Sequence, residues 1–144
     1  MVKPLAAPGA WGYFDAMTFS ALLLLAQVAF GAAPGASYDG QCIYPPGLGE
    51  PRGDEVRVTC NRVNVDGAGV DFVDRSWNRR MLRFSGQWEG DRLTVRSVTP
   101  RDGRMVEARG LCRTYYANEE VSVIACTAVS GGRTWLGNFK VSRI

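Results

Sequence analysis

From residue 55 onward the chain is a series of short runs that alternate apolar and polar residues, each cut off by turn-forming residues. The runs occupy 55–65, 70–73, 80–88, 92–98, 105–116, 121–129 and 134–144. Between them stand Asp66-Gly67, Gly90-Asp91, Asp102-Gly103, Asn118-Glu119-Glu120 and Gly131-Gly132. A period of two puts successive side chains on opposite faces of a sheet. Several such runs at this spacing predict an all-β fold. No run carries a clear helical period; only 74–81 fits a short helix or a loop.

The turns can be tested against one another. A type II′ turn at Gly90-Asp91 places Trp88 opposite Leu93, Gly86 opposite Val95 and Phe84 opposite Ser97. Leu82, Phe84, Trp88, Leu93 and Val95 then share one face, and Arg83, Ser85, Gln87, Thr94 and Arg96 the other. Pro100 to Gly103 suits a type I turn followed by a bulge. With Val98 facing Met105 and Arg96 facing Glu107, Val106, Ala108 and Cys112 join the apolar face. A three-residue turn at Asn118, Glu119 and Glu120 sets Cys112 directly opposite Cys126. Agreement of three hairpins on one buried face predicts a small antiparallel β-sandwich or barrel of about seven to eight strands.

That register pairs Cys112 with Cys126 and leaves Cys42 for Cys60. The two pairs also sit in similar surroundings. Gly40-Gln41-Cys42 leads to Val56-Arg57-Val58 and Cys60; Gly110-Leu111-Cys112 leads to Val121-Ser122-Val123 and Cys126. An internal repeat would favour the same two local bridges, each contributing roughly 3 kcal/mol to a domain with a small core. The cysteines have no CxxC spacing and the chain has no histidine, so a zinc site is not indicated.

An even cysteine count in a short chain points to an oxidising compartment, and the N-terminus agrees. Phe19 to Phe30 reads FSALLLLAQVAF, followed by the small residues Gly31, Ala32, Ala33, Gly35 and Ala36. The run is shorter than the roughly 20 residues a membrane span needs and has the layout of a signal peptide. The expectation is an export signal helix over 1–36, with Met17 as an alternative start, and one disulfide-stabilised β-domain over 37–144. Lys3 is far upstream, Asp15 lies close to the run, and Pro34 makes the cleavage point awkward, since a proline just after the cut is disfavoured; the nearby candidates are after Gly31, Ala33 or Ala36. The processed chain is expected to be secreted or periplasmic, with no stable transmembrane span.

The absence of histidine removes His-dependent triads, His zinc sites and HExxH proteases. No P-loop, dinucleotide or GxSxG motif is present, and no cofactor or metal is indicated. Carboxylate pairs remain, since a glycosidase needs two; Asp71 with Asp74 and Glu119 with Glu120 are near in sequence, but turn and cap roles fit both pairs. The basic residues are more informative. Of 17, only Lys3 and Lys140 are lysines, and arginine recognises carboxylate and phosphate in a planar, bidentate way.

The registers put Arg83, Arg96, Arg109 and Arg113 on the polar face with Glu107, Leu111 and Tyr115, residue types favoured at recognition surfaces. Trp77 and Trp135, each beside arginine, form a second candidate binding set. The expected function is a non-enzymatic exported module binding a protein or glycan partner. A small carboxylate-dependent hydrolase and a structural envelope protein are the alternatives. Nucleic acid is disfavoured by export and by a net charge of only +3.

Overall fold

A computed structural model describes residues 35–142. The apolar run, Met17 and the cleavage positions up to Ala33 lie outside the described residues. The described chain forms nine strands: β1 (Ala36–Cys42), β2 (Glu55–Arg57), β3 (Arg62–Asp66), β4 (Gly69–Asp74), β5 (Arg79–Glu89), β6 (Arg92–Pro100), β7 (Val106–Ala117), β8 (Glu120–Ser130) and β9 (Arg133–Val141). A single 3-10 turn spans Pro46–Leu48.

Strands β3 to β9 pair antiparallel in sequence order. β1 joins the two ends: Ala36 to Asp39 pair with β3, and Gly40 to Cys42 pair with β9. Eight strands therefore close into a barrel, which removes the open edges of the sheet. β2 is the exception, lying parallel to β9 over Thr134 to Leu136, beside the part of that strand which β1 does not cover. We call β2 and the following residues to Cys60 the strap. The β3–β4, β5–β6 and β7–β8 turns lie at one end of the barrel. The β4–β5, β6–β7 and β8–β9 connections lie at the other, here the mouth.

The interior is filled by the inward side chains. Val63, Val65, Val70, Phe72, Leu82, Phe84, Leu93, Val95, Val98, Ile124 and Phe139 are all at most 1% exposed. Phe72 and Phe84 meet edge to face, centroids 5.6 Å apart, a favoured geometry for aromatic pairs. Gly137 makes room for them. A Cβ there would come within 2.5 Å of the Phe72 ring.

Both disulfides form as expected, Cys42–Cys60 and Cys112–Cys126. Two disulfides in a small β-domain are consistent with an oxidising environment. The two cysteine motifs nevertheless occupy different places. Val56 and Arg57 belong to the strap, whereas Val121 and Val123 belong to a stave of the barrel. The similarity of the motifs does not extend to the fold.

Several registers differ from expectation, for one physical reason. Trp88 faces Leu93 and Gly86 faces Val95 as predicted, around Gly90 at φ 61°. Phe84, however, faces Val98 rather than Ser97, because Arg96 is an extra residue bulged out of β6. Val95 and Val98 are three residues apart and both buried; only a bulge lets both point inward. The shift carries into the next pair, so Val98 faces Val106 rather than Met105, and Ser97 rather than Arg96 faces Glu107. Val106 is correspondingly exposed rather than on the apolar face.

At β7–β8 the turn has two residues, Asn118 and Glu119, both with positive φ, and a one-residue irregularity at Ser122 restores Cys112 opposite Cys126. The run 55–65 breaks into β2 and β3, and within 74–81, expected as a short helix or a loop, residues 75–78 are the turn between β4 and β5. Asp74 accepts the Ser76 N–H at 3.0 Å and closes its turn.

Candidate functional site

Strands β6, β7 and β8 turn alternate side chains outward because Leu93, Val95, Ala108, Cys112, Thr114, Ile124, Cys126 and Ala128 face the interior. The outward residues form rows across the barrel wall. Arg92 stands opposite Arg113, Leu111 stands between Thr94 and Thr127, and Arg109 stands opposite Val129. The bulged Arg96 lies across from 108–109, and Tyr115 lies one row beyond Arg113. The Arg113 guanidinium sits 6.0 Å from the centre of the Tyr115 ring, within cation–π range. Leu111, Tyr115 and Val129 are 38%, 48% and 50% exposed, so this wall mixes arginine with apolar surface.

The wall carries four arginines and an acid, Glu107, which faces Ser97 beside the bulged Arg96, and a second acid, Glu89 on β5, faces Arg92. Among the described residues Arg92, Arg96, Arg109 and Arg113 make no ion pair with aspartate or glutamate. Arg57, Arg62, Arg75, Arg80 and Arg83 each hold a carboxylate. Three of the four arginines predicted from the sequence, Arg96, Arg109 and Arg113, therefore come together with Tyr115. Arg92 was missed; its place at the start of a strand hid the fact that it pairs with Arg113.

Arg83 lies apart from them. Its guanidinium grips Asp66 with two nitrogens, at 2.8 and 3.1 Å, and reaches Asp71 at 3.1 Å. Its Nε donates to the Ser85 hydroxyl at 3.1 Å. The hydrogen bonds from Arg83 hold the Asp66 carboxyl below its ordinary range, so Asp66 is an acceptor, not a proton donor, near neutral pH. Arg80 takes the other oxygen of Asp71 at 2.7 Å. Of the carboxylates considered for hydrolysis, Asp71 thus holds two arginines, Asp74 closes a turn and Glu119 forms one. Among the described residues no group of His, Cys, Asp and Glu is arranged to hold a metal ion.

The two tryptophans both lie at the mouth end, on separate hollows. Trp77 sits at the tip of the β4–β5 turn and is 80% exposed; Trp135 begins β9 and is 6% exposed. Between the strap and the adjoining ends of β5 and β6 lies a cavity of about 240 Å³. Val56, Val58, Met81, Pro100 and Trp135 provide its apolar walls, and Arg57 and Arg101 its charge. A second hollow of about 330 Å³, lined by Trp77, Arg79 and Asp74, shares Met81 and Arg101 with the first. The strap is held in place by the Tyr44 hydroxyl, 2.5 Å from the Val58 carbonyl oxygen and 3.1 Å from that of Leu136. Burial pushes the Tyr44 phenol up to about 12. Met81, Pro100 and Arg101 carry no sequence motif, so nothing local marked them.

Comparison with protein-family models, with curated proteins and with solved structures finds no match.

Proposed function

We propose that this protein is an exported, non-enzymatic binding module that docks an acidic protein surface on the outer wall of β6, β7 and β8. One observation carries the reading: Arg92, Arg96, Arg109 and Arg113 share this wall, Arg92 directly opposite Arg113, and none of the four makes an ion pair among the described residues, although Glu89 faces Arg92 and Glu107 lies beside Arg96. Like charges opposed across a sheet are destabilising. Carboxylates of a partner offset that repulsion and suit the guanidinium fork. Leu111, Tyr115 and Val129 add the apolar contact that protein interfaces use; the aliphatic Leu111 and Val129 favour a protein over a glycan.

Export is supported by the apolar run, the small residues after it and the two disulfides. Secretion or a periplasmic location follows from the same features. The Gly35 N–H already bonds the Val65 carbonyl at 2.7 Å, beside β1. Cleavage after Gly31 or Ala33 leaves that ladder whole; cleavage after Ala36 trims it.

The test is capture from an envelope extract by the intact protein, with an Arg96→Ala/Arg109→Ala/Arg113→Ala variant as control. We expect one or more acidic proteins, lost with the triple variant and weakened as salt rises from about 50 to 300 mM. Capture unchanged by the triple variant, no capture, or a hydrolase activity lost on Asp71→Asn would each overturn the reading.

A further inference from the structure

The mouth cavity has features that the outer wall does not explain. Its walls are apolar, its lining includes an arginine without an ion pair, and it includes two buried donors without acceptors. Trp135 Nε1 and Arg57 Nε are both buried and make no hydrogen bond. Both residues line the same cavity. A buried donor left unsatisfied costs about 1–3 kcal/mol, and native structures leave few of them. Two on residues that line one cavity, closed to solvent as the side chains stand, are donors that a side-chain turn would offer to an acceptor in that cavity.

The other Arg57 nitrogens are occupied, by Glu55 at 3.2 Å and by the Gly49 carbonyl at 2.6 Å. Arg101, in the β6–β7 connection, has no ion pair among the described residues and borders both hollows. The acidic groups nearby are Glu55, bonded to Arg57, Asp74, bonded to the Ser76 N–H, and Asp102, bonded to the Arg104 N–H. None of the three makes an ion pair with Arg101.

We propose that the barrel mouth binds a small monocarboxylate with an apolar body. The apolar part lies between Met81, Pro100, Val58 and Trp135. The carboxylate faces Arg101, and a turn of the Trp135 and Arg57 side chains brings Nε1 and Nε onto its oxygens. The exposed Trp77 ring on the adjoining hollow lengthens the apolar path for bodies too large for about 240 Å³. Barrel mouths are common ligand positions, because the side chains that fill the interior thin out there. This site is separate from the outer wall, so either can fail alone.

The experiment is a titration of the isotope-labelled full domain with octanoate, followed through the indole N–H resonances, with Trp135 assigned by Trp135→Phe. Octanol and acetate serve as the uncharged and tail-less controls. We expect a saturable shift of the Trp135 indole N–H and the Met81 methyl, with a Kd below about 1 mM. Octanol and acetate should bind at least about tenfold more weakly, each lacking about 1.4 kcal/mol or more of the contact. Arg101→Ala should weaken octanoate about fivefold or more, and Met81→Trp, which fills the cavity, should abolish the shift. Arg92→Glu on the outer wall should leave it unchanged. Equal responses to octanol and octanoate, insensitivity to both Arg101→Ala and Met81→Trp, or shifts spread over the outer arginines would overturn the proposal.

Discussion

At the scale of a residue, Tyr44 shows how much one side chain can organise. Its hydroxyl lies between two carbonyl oxygens, one on the strap and one on β9, so it fixes the cover of the mouth. Its phenol titrates at about 12 in the folded chain against an ordinary 10.0. Below pH 10 both folded and unfolded chains keep this proton. Between pH 10 and about 12 the unfolded chain has released it and the folded chain has not, so stability falls as pH rises through that window. Tyr44→Phe should cost about 1 kcal/mol at pH 8 and flatten the alkaline loss, read from urea midpoints at pH 8 and pH 11. Tyr38 and Tyr116, also raised by burial, leave a residual slope. None of this was legible in the sequence, because Tyr44 and Leu136 are 92 residues apart. The inward residues were legible, because burial of alternate positions is a local pattern that Leu82, Phe84, Leu93 and Val95 display plainly.

At the scale of an element, the faces were readable and the irregularities were not. A bulge adds a single residue, and its cause lies in which positions must be buried together, as Val95 and Val98 are. β1 was missed altogether, although Ala36, Tyr38, Gly40 and Cys42 turn inward and Ser37, Asp39 and Gln41 outward. Small residues and a glycine disguise that period-two signal, and the strand's apolar content is low. The β7–β8 turn carries a test of its own. Glu119 has φ 67°, a left-handed conformation that suits Gly or Asn and strains glutamate. Glu119→Gly should raise stability by about 0.5–1 kcal/mol, after allowing for the added freedom of the unfolded chain, measured by thermal unfolding.

The outer wall carries another. Arg113→Glu turns an opposed like-charge pair into an opposite-charge pair, whereas the same change at Arg92 would set two glutamates opposite each other, because Glu89 faces position 92. Denaturant unfolding should show a gain of a few tenths to about 1 kcal/mol, while capture of the acidic partner falls. A stability gain accompanied by a binding loss separates a binding wall from a merely solvated one; a loss of stability would mean that Arg92 and Arg113 do not oppose each other.

At the scale of the whole molecule, the two disulfides differ in what they secure. Cys112 and Cys126 are buried inside the barrel wall, whereas Cys42–Cys60 ties the strap to the end of β1 and is only partly buried. Mild reductant followed by alkylation should open Cys42–Cys60 first, seen by mass spectrometry. Replacing Cys42 and Cys60 with serine should cost roughly 3 kcal/mol and loosen the strap. The pairing of all four cysteines was legible from hairpin register and elimination. Closure into a barrel was not, since it depends on β1. The candidate site divides in the same way: Arg96, Arg109, Arg113 and Tyr115 share one local face, while the mouth assembles residues from the strap, β5, β6 and β9.

The split pairing of β1 imposes an order on assembly. Every ladder from β3 to β8 joins strands that are neighbours along the chain, but the seam waits for Cys42 to meet Phe139. A polypeptide threaded out N-terminus first therefore passes through an interval with the sheet formed and two raw edges showing, the state most prone to sticking to a sibling chain. Stopping the chain before Arg133 would make that interval permanent. Such a fragment should associate edge to edge, and a synthetic peptide of residues 133–141 should rescue it by serving as the missing stave for both edges at once.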